Sequence, residues 1–92
     1  MSSPSACQEL LGQTVVVDTD SHFIYLGRLE SLDAQFMKLS QVDVHEIGAS
    51  SLSKERYVHE ASEIGLRANR KMTWVRMERV MSVSRLEDVI EF

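Results

Sequence analysis

Gly12-Gln13-Thr14-Val15-Val16-Val17-Asp18, Phe23-Ile24-Tyr25-Leu26-Gly27-Arg28-Leu29 and Asp33-Ala34-Gln35-Phe36-Met37-Lys38-Leu39 set the architecture expected of this 92-residue chain. Each is a short run with strand character, and polar turns separate them. Three valines in a row favour extended backbone because their branched side chains fit a pleated surface. Thr19-Asp20-Ser21-His22 reads as the first turn and Glu30-Ser31-Leu32-Asp33 as the second. In the second strand Phe23, Tyr25, Gly27 and Leu29 share one face, and Ile24, Leu26 and Arg28 the other. A mid-strand glycine permits sharp curvature or the close approach of another backbone. Phe36 opens a third strand running to about Glu46. Its apolar alternation shifts between Met37/Leu39 and Val42/Val44, so a bulge or break is expected near Ser40-Gln41. Glycine and aspartate fall where a small, strongly bent barrel would need them.

On the N-terminal side, Ala6, Cys7, Leu10 and Leu11 form an apolar stripe at helical spacing, ended by Gly12. Ser3 and Pro4 suit the start of such a helix. On the C-terminal side, Gly48-Ala49-Ser50-Ser51 reads as loop and Ser53 to Ile64 as a helix stopped by Gly65, with a strand about Tyr57-Val58 as the alternative. Met72-Thr73-Trp74-Val75-Arg76-Met77 gives a fourth strand and Arg79-Val80-Met81-Ser82-Val83-Ser84 a fifth. Leu86, Val89, Ile90 and Phe92 let an acidic tail fold back as a short helix or an extra strand. The expected organisation is one domain over 1–92, with an insertion at 47–71 and a C-terminal extension at 85–92.

Composition narrows the function classes. Hydrophobic residues make up 43% and charged residues 26%, the balance of a globular protein. The single cysteine, Cys7, excludes an internal disulfide framework and suits a reducing compartment. The N-terminus lacks the pattern of a secretory signal, and no apolar run approaches membrane-spanning length, so a cytoplasmic location is expected. The formal net charge of -4 gives no long-range attraction to nucleic acid. Residues 67 to 79 nevertheless carry Arg67, Arg70, Lys71, Arg76 and Arg79 against Glu78 alone, either a local basic surface or a solvated charged face.

Taken together, Leu11-Gly12, Val15-Val17, Tyr25-Gly27-Leu29, Asp33 and Phe36-Met37-Lys38-Leu39 resemble the first signature of the Sm-like (LSm) family. Val75-Arg76-Met77 with Val80 and Val83 resembles its second. The resemblance covers residues 4 to 46 and 72 to 84. It implies a five-stranded antiparallel barrel with an N-terminal helix, assembled as a homo-oligomeric ring, hexameric or heptameric, that binds single-stranded RNA. It places Phe36 as the base-stacking residue, Arg76 as the basic component of a second loop and Asp33 as orienter of the turn. Lys38 stands where the family has asparagine, and Met77 replaces the family's glycine.

The residues agree with part of that picture. Phe36 offers a sequence-tolerant stacking face, and Lys38 and Arg76 can neutralise phosphate. The ordinary reading beside it makes Phe36 core packing, Lys38 a solvated charge, and Asp33 and Gly27 supports of a turn and a bend. Trp74 and Tyr57 are expected as packing anchors, Trp74 in the core or at a subunit interface. His22, His45 and His59 lack metal-ligand spacing, and no catalytic, metal or cofactor site is expected. The alternative function is a structural or protein-interaction module without nucleic-acid binding that retains the ring fold and engages a protein partner through the insertion and the acidic tail, supported by the acidic total, Lys38 and Met77. An SH3-like small barrel is a further fold reading.

Overall fold

The computed structural model describes residues 5–47 and 53–90. Five antiparallel strands are present: β1 (Thr14–Thr19), β2 (Phe23–Leu32), β3 (Phe36–Glu46), β4 (Arg70–Arg76) and β5 (Val80–Arg85). One α-helix, α1 (Lys54–Ile64), lies between β3 and β4. Sheet order is β4-β3-β2-β1-β5.

That order corrects the expected barrel. β4 and β5 are the two outer strands, separated by the other three, and each pairs only inward, with β3 and β1 respectively. The sheet is therefore open. The α-helix is also in the middle of the chain, whereas the N-terminal piece is a six-residue 3-10 helix, Ser5–Leu10. So short a segment cannot sustain itself as α-helix. Ser3 and Pro4, the expected start of that helix, lie outside the described residues. The Sm-like assignment, the closed barrel and the ring built from it do not hold. The bend signals in the sequence are genuine, but a bent open sheet and a closed barrel ask for the same glycine and the same bulge.

The bend itself is concrete. A Cβ at Gly27 would lie 3.0 Å from the Ser40 carbonyl oxygen and 3.2 Å from Val42 Cγ2, so only glycine lets β3 come this close. Directly opposite, the register passes from Leu26↔Asp43 to Arg28↔Ser40, which places one extra residue on β3. Gln41 takes that position with φ of 50°, and the irregularity expected near Ser40-Gln41 is this bulge. A second skip between Leu29 and Ser31 puts an extra residue on β2 and restores the register. β2 also continues to Leu32, three residues past the expected end at Leu29. The reversal is confined to 33–35 because Asp33 makes it: its Oδ1 accepts from the amides of Gln35 (2.7 Å) and Phe36 (2.8 Å).

Both faces of the sheet are covered at β1, which explains why Val15, Val16 and Val17 are all buried. Val15, Val17, Leu29, Met37, Leu39, Val42 and Val75 form one core, with Leu10 of the 3-10 helix packed against it. Val16, Ile24 and Leu26 form the other with Val58 and Ala61 of α1. Ser53 caps that helix by accepting from the Arg56 amide (3.1 Å), and Gly65 ends it at φ of 93°. Lys54 ties its first turn to the sheet, donating to Asp18 Oδ1 (2.6 Å) and the carbonyls of Thr19 (3.1 Å) and Ser21 (2.8 Å).

Gly27→Ala is expected to destabilise the fold by about 1–3 kcal/mol, the cost of forcing extra volume into a packed site. Urea unfolding followed by far-ultraviolet circular dichroism measures it, and an unchanged midpoint would contradict the contact. Lys54→Met, which strips α1 of its charged tether, is expected to cost about 1–3 kcal/mol in the same assay.

Candidate functional site

Helix α1 covers only part of the second face. Beyond the bend, Phe36, Lys38 and Ser40 of β3 stand directly opposite Arg76, Trp74 and Met72 of β4. Their neighbours Met37, Leu39 and Val75 point into the core, so strand alternation puts these six side chains on the outer face. Trp74 is 56% exposed, Phe36 39% and Met72 38%. The Lys38 ammonium lies 5.5 Å from the Trp74 ring centroid, a cation–π contact. Arg76 reaches Glu78 at 3.8 Å, an exposed pair of little energetic weight. At the rim, Glu30 pairs with Arg28 (3.6 Å) and accepts from the Ser40 hydroxyl.

Of the residues singled out from sequence, Phe36, Lys38 and Arg76 do converge. Asp33 does not join them on the face; it fixes the turn from which Phe36 starts. Its carboxyl is held below the ordinary carboxylate range by the hydrogen bonds from Phe36 first and Gln35 second. Gly27 is buried at the bend, away from the surface patch. Trp74 is not a core residue but the centre of the exposed face. The signal was available: in Met72-Thr73-Trp74-Val75-Arg76, burial of Val75 forces Trp74 outward.

The expectation of single-stranded RNA at Phe36, Lys38 and Arg76 is corrected with the fold. It drew on a closed ring gathering many copies of a basic loop around one rim. This open sheet of a net acidic chain has no such rim.

A second polar cluster lies under the other end of α1. Tyr57 stacks on His45 with ring centroids 3.8 Å apart, and its hydroxyl donates to the buried carboxylate of Asp43. Burial, then that hydrogen bond, holds the Tyr57 phenol well above its ordinary value. Asn69 clamps the strand nearby: its Oδ1 accepts from the Val44 amide (3.1 Å) and its Nδ2 donates to the Val44 carbonyl (3.0 Å). These contacts anchor the segment joining α1 to β4. Among the described residues no three His, Cys, Asp or Glu side chains gather in a way that could hold a metal ion. No described helix is long and apolar enough to cross a membrane.

No protein-family model and no curated protein matches this chain.

Because folding lowers the pKa of Asp33, its contribution to stability is present above the ordinary value of 3.8 and is lost as pH falls through the lower folded value. Asp33→Ala is therefore expected to be less stable than the parent at pH 6, with the difference shrinking as pH falls below 3.8. Denaturant midpoints between pH 2 and 6 test this; a gap independent of pH would refute the carboxylate's role.

Proposed function

We propose that this chain is a non-enzymatic protein-interaction module and that the outer face of β3 and β4 is its binding surface. The observation that carries the reading is Trp74: the only tryptophan of the chain, 56% exposed in the middle of a strand, with Met72 and Phe36 beside it. A large aromatic left in water forgoes burial worth about 1.5–3 kcal/mol, and aromatic residues, methionine and arginine are enriched at protein interfaces. Arg76 supplies the arginine here, and with Lys38 it favours a partner with acidic groups. The proposed site of action is the cytoplasm, a reading supported by the lone Cys7.

A photocrosslinking residue, p-benzoylphenylalanine, placed at position 74 in the native host tests the reading. The comparison position is Met81, 68% exposed on the opposite edge strand β5. Discrete protein adducts are expected from position 74, weakened when Lys38 and Arg76 are both changed to glutamate, and absent from position 81. Equal yields from both positions, or no adduct from position 74, would overturn the assignment of this face.

A further inference from the structure

We propose that the outer edge of β4 accepts an extended acidic segment of the partner protein as a sixth strand. The inference rests on the interaction reading above and adds how the partner binds and what its chemistry is.

The backbone supplies the first argument. The Met77 amide donates to the Gln35 carbonyl at 2.8 Å, which makes Gln35 and Met77 a hydrogen-bonded pair. Bonded and non-bonded pairs alternate along an antiparallel ladder. In the observed register, Phe36↔Arg76, Lys38↔Trp74 and Ser40↔Met72 are then the non-bonded pairs. Met72, Trp74 and Arg76 consequently turn their amides and carbonyls away from β3, toward the outside. The residues offering the exposed side chains are the same ones offering unpaired backbone. A strand laid along this edge would gain hydrogen bonds and contact the Trp74 face in one act.

The rest of the sheet shows what a protected edge looks like here. Past the beginning of β4, the open edge of β3 is sealed by the Asn69 side chain on Val44. Natural edge strands are commonly blunted by proline, bulges or inward charges. From Met72 to Arg76 there is no proline, the register with β3 is unbroken, and Met72 and Trp74 are exposed.

Charge identifies the occupant. The seven residues of β4 include Arg70, Lys71 and Arg76 and no carboxylate. Among the described residues neither Arg70 nor Lys71 has a carboxylate within ion-pair distance. At alternate positions along β4 the order is Arg70, Met72, Trp74, Arg76, apolar in the middle and basic at both ends, with Arg70 opposite the core residue Val42 at the border of the exposed face. The complementary strand has two apolar residues flanked by two carboxylates at alternate positions. That pattern reads the same in either direction, so it fits a parallel or an antiparallel approach. A second copy is the poorer match, because its edge strand β5, Val-Met-Ser-Val-Ser-Arg, carries a cation and no carboxylate.

The probe is a fluorescein-labelled peptide, Glu-Thr-Ile-Thr-Ile-Thr-Glu, titrated with the full chain and read by anisotropy at 50 and 300 mM salt. Saturable binding that weakens at the higher salt is expected, and the peptide with lysines in place of both glutamates should not bind. Changing Arg70 and Arg76 together to glutamate is expected to weaken the acidic peptide about tenfold, the yield of two exposed ion pairs, and to admit the lysine peptide. N-methylation at the isoleucines or at the threonines should abolish binding in one set only, since alternate amides face β4. Met72→Pro removes an outward amide and no bond to β3; with its circular dichroism unchanged, it should also lose binding. Three results would overturn the proposal. One is no saturable binding, another is indifference to both N-methylation and Met72→Pro, and the third is sedimentation of the free chain as a self-associated species with this edge protected from amide exchange. Adducts from position 74 alongside any of these leave the interaction face in place and remove the strand addition alone.

Discussion

The contact between Gly27 and the β3 backbone is the constraint from which the rest of the molecule follows. With the Ser40 carbonyl only 3.0 Å from where a Cβ would stand, β2 and β3 can bend together without a side chain holding them apart. The extra residue at Gln41 lengthens β3 where the bend requires it. Bending wraps the first face around Leu29, Met37 and Leu39, all fully buried. It also divides the second face into two regions. One lies under α1; the other, carrying Phe36 and Trp74, lies beyond the helix's reach.

Polar side chains then hold the pieces in register. Lys54 secures the start of α1 to the end of β1, and Asn69 secures the approach to β4 against the end of β3. Asp33 closes the tight reversal between β2 and β3. Each substitutes a side-chain group for a missing backbone partner, which is how a small sheet with one helix keeps its loops ordered. The exposed face of β3 and β4 is thereby carried on strands, and its geometry is inherited from the core beneath it.

Much of the strand layout was legible in the sequence. Val15–Val17, the Gly27 bend, the Asp33 turn and the Ser40-Gln41 irregularity all carry local signals, and so do Ser53 and Gly65 at the two ends of α1. The closure of the sheet was not legible, because it depends on which strands meet across the molecule, and no local pattern records that β5 pairs with β1 while β4 is left at the far edge. The second turn was placed too early because Glu30, Ser31 and Leu32 look turn-like one by one; pairing with β3 keeps them extended. Of the two places expected for Trp74, the core was wrong for a different reason. Its residue type favours burial, but its position, one step from the core residue Val75, sends it outward. Where type and alternation disagree, the pleat decides.

The placement of Trp74 also determines how this molecule reports on itself in a spectrometer. Its indole meets water in the native state, so its emission should sit far to the red before any denaturant is added and move little on unfolding. The phenols of Tyr57, stacked on His45, and of Tyr25, packed against the first core, are the chromophores whose surroundings change when the structure opens. Near-ultraviolet signals therefore divide the labour: the tyrosines follow the integrity of the interior, and Trp74 follows the outer face of β3 and β4.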